Sequence, residues 1–250
     1  VNFNPSSQIP RTIMEDVTGQ WGDTLTSIRI STPVWYDQLQ CENRNLETLR
    51  WRPAMMERIA RCRHLRKLHL EMEVDLMYWD AKAATTDAGY RLLSGDSRRY
   101  SGLCHLREIA PQLVEFRFRV GGQLHAKDAA VVSLMRSLEV LDLHVAQTCA
   151  VKCRPCFCDL RFLRPLAASE TCHLKELNLG HHLILHRRSL TALQDISQFV
   201  ELEVLNLDDC AWVSHVGPLM TLTKLKQASF GYHLAIVELL QEKYGTVVES

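Results

Sequence analysis

The chain has 250 residues, 46% of them hydrophobic and 23% charged, which is enough apolar material for a sizeable core and excludes global disorder. Its 29 basic and 29 acidic side chains cancel, so no overall field draws it to nucleic acid or to an anionic membrane. No apolar run reaches the length of a bilayer span, and no secretory pattern opens the chain, which begins at Val1.

Taken in chain order, Ile13 to Val17 reads as a short helix leading to a first strand. From there one pattern recurs: an apolar residue, two others, an apolar residue, one other, an apolar residue. It occurs at Leu25-Ile28-Ile30, Leu46-Leu49-Trp51, Leu65-Leu68-Leu70, Leu113-Phe116-Phe118, Leu138-Leu141-Leu143, Leu174-Leu177-Leu179 and Leu202-Leu205-Leu207, and in a degenerate form at Leu225-Ala228-Phe230. The sets start 21, 19, 48, 25, 36, 28 and 23 residues apart, so most gaps fit one short repeat and the two long ones predict insertions near 71–105 and 146–171. Between sets, 55–62 has the apolar spacing of a short helix. Leu106 to Ala110 does too, with Pro111 as its stop. Leu234 to Leu240, within a closing helix over 233–244, is expected to shield the open edge of the last strand.

The last two apolar residues of each set are two apart and so point to one face of a strand, while the first lies where the chain turns inward. Three buried side chains cannot order a whole repeat alone. Each repeat must share its apolar face with neighbours on both sides. The expected product is a single α/β solenoid domain over 1–250, a horseshoe with a parallel sheet on the concave face and short helices or turns on the convex face.

The unit over 59–70, a helix, then Cys62, then Leu-x-x-Leu-x-Leu, resembles the cysteine-containing subclass of leucine-rich repeats found in the substrate-receptor part of F-box proteins. The resemblance spans roughly 13–240. It implies a protein-interaction module, the substrate-recognition part of a ubiquitin-ligase adaptor, in which an F-box upstream of these residues would bind the ligase core. The repeat alone is equally satisfied by a leucine-rich-repeat scaffold or inhibitor with no link to ubiquitin transfer.

If the strands are placed correctly, the residue between the last two apolar positions faces outward. That column reads Arg29, Arg50, His69, Arg117, Asp142, Asn178, Asn206 and Ser229, flanked by Arg52, Lys67, Arg119, His144, Glu176 and Asp208. It turns from basic to acidic or neutral halfway, with Glu71 and Glu115 as exceptions. Another protein is the expected partner, with an acidic segment over the arginine end; the competing reading is a merely solvated face. Nucleic acid is disfavoured because the column turns acidic.

Other clusters carry less. Nine cysteines, an odd number without disulfide-framework spacing, are expected to be reduced thiols in a cytoplasmic or nuclear protein. Cys149, Cys153, Cys156 and Cys158 lack the two separated pairs of a structural zinc site, so neither metal nor other cofactor is assigned. His181, His182 and His186 follow Gly180 without the glutamate of a metalloprotease motif, and they read as a turn. Asp208-Asp209-Cys210 and Gly121-Gly122 also read as turns. No catalytic residue is assigned. The 71–105 insertion, with Met77-Tyr78-Trp79, is expected to pack on one rim of the horseshoe.

Overall fold

A computed structural model of the chain describes residues 2–3, 22–33, 56–73, 102–120, 126–144, 160–180, 189–208, 210, 213, 216–230 and 247–249. Alternating burial along the repeats places them in one open, nine-stranded parallel sheet whose strands follow chain order without a break. The strands are β1 (Asn2–Phe3), β2 (Ser27–Pro33), β3 (Lys67–Glu73), β4 (Glu115–Val120), β5 (Val140–His144), β6 (Glu176–Asn178), β7 (Val204–Asn206), β8 (Gln227–Ser229) and β9 (Val247–Glu249). Each pairs in parallel only with its neighbours in sequence, so the chain winds in one direction throughout. This is an α/β leucine-rich-repeat solenoid.

Between strands the chain returns through short helical pieces. They are a turn at 56–59, 3-10 segments at Leu103–Glu108, Ala110–Gln112, Leu160–Leu163 and Gly217–Thr221, and the helices α1 (Ala126–Val132), α2 (Arg164–Ala167) and α3 (Ser189–Ile196). The core is the continuous stack of motif residues. Leu65, Leu68, Leu113, Phe116, Leu138, Leu141, Leu177 and Leu202 are wholly buried. It also takes in residues three positions before the motif, Cys62, Ala110, Met135, Phe199 and Leu222, and six before it, Ile59, Val132, Ile196 and Leu219. The repeat is therefore longer than its leucines.

The turn into each strand is set by the backbone. The N–H of the first motif leucine donates to the carbonyl three residues earlier: Leu65 to Cys62 at 3.1 Å, Leu113 to Ala110 at 3.2 Å, Leu202 to Phe199 at 3.0 Å. One residue later a second bond pattern begins. The Thr26 carbonyl accepts from both Arg66 and Lys67, at 2.8 and 3.0 Å, and the Arg66 carbonyl accepts from both Val114 and Glu115. Val114, Glu139, Lys175 and Glu203 repeat the arrangement toward the next repeat. Both lone pairs of each carbonyl are used, so no polar backbone is stranded where the chain enters the sheet.

Several expectations are corrected. β2 pairs directly with β3 over seven residues, from Ser27 opposite Lys67 to Pro33 opposite Glu73, so no strand built on Leu46-Leu49-Trp51 lies between them. Those residues are themselves outside the described ones, as are 13–17 and 233–244. The edge of β8 that a closing helix was expected to shield is instead paired with β9. Pro111 does not stop a helix; it sits in the first turn of the Ala110–Gln112 segment, where its missing N–H costs nothing. The segment before it is 3-10 and starts from Gly102, whose φ of 76° suits a residue without Cβ. Leu160, Leu163 and Leu166, placed in the second insertion, are buried and form the returning segment of the β6 repeat.

Phe116 lies at the centre of the stack, fully buried on β4 with its ring 5.9 Å from that of Phe118. Phe116→Ala should lower unfolding stability by about 3–5 kcal/mol, whereas Val200→Ser, at a position 60% exposed, should stay within about 0.5 kcal/mol. Urea unfolding of both variants checks this.

Candidate functional site

The same alternation that buries the leucines sends the residues between them to the outer face of the sheet. In register, Arg29, His69, Arg117, Asp142, Asn178, Asn206 and Ser229 stand opposite one another from β2 to β8. A second row reads Ser27, Lys67, Glu115, Val140, Glu176, Val204 and Gln227, and a third places Glu71, Arg119 and His144 opposite one another. The sequence-predicted residues from Arg29 to Asn206 thus fall on adjacent rows, with Asp208 just past β7. Arg50 and Arg52 lie outside the described residues, and the direct β2–β3 pairing leaves them no place in the column.

The expected basic half is not basic. Arg117 Nε donates to Glu115 at 2.8 Å, and its other nitrogens reach Glu176 at 3.2 and 3.3 Å and Asp142 at 3.6 Å. Arg119 grips Asp142 Oδ2 through Nε at 3.0 Å and Nη2 at 2.7 Å, and approaches Glu71 at 3.4 Å. Glu71 also lies 3.7 Å from Arg29, and Glu115 lies 3.2 Å from Lys67. Arg29, Lys67, Arg117 and Arg119 are therefore balanced by Glu71, Glu115, Asp142 and Glu176. The two glutamates that looked like exceptions in the sequence are two of these four counter-ions. Arg29, Arg119 and Arg117 are 54%, 40% and 30% exposed, so their pairs with glutamates contribute little stability and mainly fix side-chain direction, whereas the buried Asp142 carboxylate depends on its guanidinium partners. Asp142 faces outward yet has no exposed surface beneath its two guanidinium groups.

Beyond Asp142 the face changes character. Asn178 Oδ1 accepts from the N–H of Gly180 at 3.0 Å, and Asn206 Oδ1 accepts from the N–H of Asp208 at 2.8 Å. These local bonds divert the N–H that would extend the ladder, which helps to keep β6 and β7 at three residues. They also fix which end of each carboxamide points away, and neither Nδ2 has a partner among the described residues. Ser229 Oγ donates to Asp208 Oδ1. Asp142 Oδ1 is buried without a hydrogen bond. Half-buried Val140 and Val204 lie in the adjacent row. Sequence reasoning passed over both valines, although their position one before the second motif leucine marks them as outward.

The thiols are structural. Cys62 and Cys210 are buried; Cys210 Sγ lies 3.2 Å from the Leu179 carbonyl, and Cys172 Sγ lies 3.7 Å from that of Leu138. Burial pushes Cys62 and Cys172 up, which weakens them as nucleophiles. Cys149, Cys153, Cys156, Cys158, His181, His182 and His186 lie outside the described residues. Among the described ones no three His, Cys, Asp or Glu side chains form a group that could hold a metal ion.

No protein-family model and no curated protein matches the chain. Among solved structures it is similar to an internalin from Listeria monocytogenes at 15% identity, covering 71% of this chain and 38% of that one, with a TM-score of 0.43.

His69 Nε2 lies 2.9 Å from Glu115 Oε1, off the line of a good hydrogen bond. Burial holds His69 below the ordinary imidazole value of 6.5, against the pull of Glu115 and with the help of Arg117 and Arg29. Burial alone would raise Glu115, but donors on Arg117 and Lys67 outweigh it and hold the carboxyl below its ordinary 4.5. Both groups are lowered in the fold, so their contributions are present above their unfolded values and are lost as pH falls. His69→Gln should therefore flatten the loss of melting temperature that begins below pH 6.5 and leave the loss below pH 4.5 in place. An unchanged profile would remove His69 from this account.

Proposed function

We propose that the chain is a protein-interaction module that holds a partner on the outer face of its parallel sheet and has no catalytic role. One observation carries this reading. Across seven strands, outward side chains are set in direction by ion pairs and hydrogen bonds yet, apart from Asp142, remain exposed or half-exposed wherever their side chains are described. A preordered, contiguous face of this kind spares a partner much of the ordering entropy of association. No described helix is long and apolar enough to cross a membrane, and the unbridged thiols of Cys62, Cys104 and Cys172 favour a reducing cytoplasmic or nuclear setting.

The narrower reading is the substrate-recognition part of an F-box-type ubiquitin-ligase adaptor, with ligase core components held by a segment ahead of these repeats. What supports it is the cysteine pattern: Cys62 buried just before Leu65, and Cys210 bonded to the preceding repeat. A leucine-rich-repeat scaffold or inhibitor would use the same face without a ligase.

A photo-crosslinking residue placed at Val204, on the outer face, should capture a protein from cell extract. The same residue at exposed Gln194 of α3 should not. Equal capture from both positions, or capture from α3 alone, contradicts the reading. Ligase core components should co-purify with the chain together with whatever its gene places ahead of Val1, if the narrower reading holds.

A further inference from the structure

We infer that the part of the outer face over β5–β8 is the docking strip, and that it takes an extended, uncharged peptide segment whose main-chain amides pair with Asn178, Asn206 and Asp208. This rests on the reading of the outer face as a protein-binding surface, and it names where on that face the partner lies and what chemistry it brings.

The two halves of the face differ in what they still need. The cations of β2 to β4 are matched, with Asp142 on β5 and Glu176 on β6 completing the set, and a partner there would have to desolvate ion pairs that are already made. From β5 to β8 hydrogen-bonding groups are left over. Both Asn carboxamides are locked by their oxygens, so each presents an Nδ2 donor with no partner among the described residues. Asp142, opposite Asn178 in register, has no exposed surface beneath Arg117 and Arg119 and is closed to a partner. The accessible acceptor is Asp208, half-buried just past Asn206, whose Oδ1 is taken by Ser229 and whose Oδ2 has no partner among the described residues.

Donors and acceptors thus lie side by side, which decides the class of ligand. A carboxylate or phosphate would satisfy the asparagines but face Asp208. An ammonium or guanidinium would satisfy Asp208 but leave the asparagine donors empty. A peptide group supplies one acceptor and one donor, and it carries no charge. Neighbouring strands are about 4.8 Å apart and an extended chain rises about 3.3 Å per residue, so a segment crossing the strands meets a new set of groups roughly every one to two residues. Val140 and Val204 add apolar contact beside it. Glu176, between them in register, is drawn toward β4 by Arg117, and its charge is matched there.

The cradle is tight at Gly180. A Cβ at this position would stand 3.1 Å from Asn206 Oδ1 and 3.2 Å from Asn178 Oδ1, so the glycine is what lets both carboxamides close in.

The test uses linear 12-residue peptides from a random library, selected against the whole chain, with affinities measured by fluorescence polarisation. Asn178→Asp and Asn206→Asp, made singly, keep the oxygen that accepts the backbone N–H and replace the outward donor by an acceptor. Gly180→Ala displaces both carboxamides without adding charge. Arg29→Gln and Lys67→Gln probe the other half, and thermal melts confirm folding of each variant. The expected result is a set of uncharged peptides that lose about tenfold in affinity with each of the first three variants and are unaffected by the last two. Peptides rich in Asp and Glu that bind the first three normally, and lose affinity with Arg29→Gln or Lys67→Gln, would overturn the strip while leaving the face as the binding surface. Peptides indifferent to all five variants would overturn both.

Discussion

Six carbonyls, at Thr26, Arg66, Val114, Glu139, Lys175 and Glu203, each accept two N–H groups from the repeat that follows. The rest of the architecture depends on this contact. A parallel strand entering a sheet must bring its first N–H groups in from a turn, where they have no ladder partner of their own. Sharing one acceptor satisfies both and sets how far each repeat is displaced from the last. The motif leucines then fall directly over one another, and the outward residues fall into straight rows. The alternating pairs Glu139–Lys175 at 2.9 Å and Glu203–Lys226 at 2.6 Å run along the same line of residues, so backbone and side chains hold the same spacing.

The rows themselves were legible in the sequence, because a period of two and a fixed motif leave no choice about which residues face out. Arg29, His69, Arg117, Asp142, Asn178 and Asn206 line up as spacing alone implies. What spacing could not give was which apolar triplets are strands. Leu46-Leu49-Trp51 satisfies the pattern as well as Leu65-Leu68-Leu70, yet β2 and β3 pair directly, since a triplet reports only local periodicity and pairing is decided by the whole repeat. Nor could spacing show where long side chains go. An arginine reaches across a neighbouring strand, as Arg117 does from β4 over β5 to Glu176 on β6. A column of like charges in one dimension therefore becomes a set of opposite pairs in two.

That two-dimensional pairing divides the face by satisfaction and not by sign. On β2–β4 and at Asp142 the guanidinium groups spend their donors on carboxylates already present. On β6 and β7 the side chains spend only one end on local backbone and leave the other directed away. Two roles usually given to different residues, ending a strand and offering a donor, are combined in Asn178 and Asn206. Their short bonds to the residue two ahead also separate these asparagines from a merely solvated surface, since a freely rotating carboxamide would have no fixed donor to offer.

The strands shorten along the molecule, from seven residues in β2 and β3, through six and five, to three in β6, β7 and β8. In a solenoid each repeat is held only by its neighbours, so a shorter interface means a smaller free energy for parting two repeats. Opening is then uneven: the long-stranded repeats separate as a block, while the short-stranded ones come apart at lower cost. Two buried thiols happen to stand in these two regions, Cys62 ahead of β3 and Cys210 just after β7. A thiol reagent applied to the native protein should therefore meet Cys210 sooner than Cys62, and a partner seated across β6–β8 should narrow that difference by holding the shortest joints of the solenoid closed.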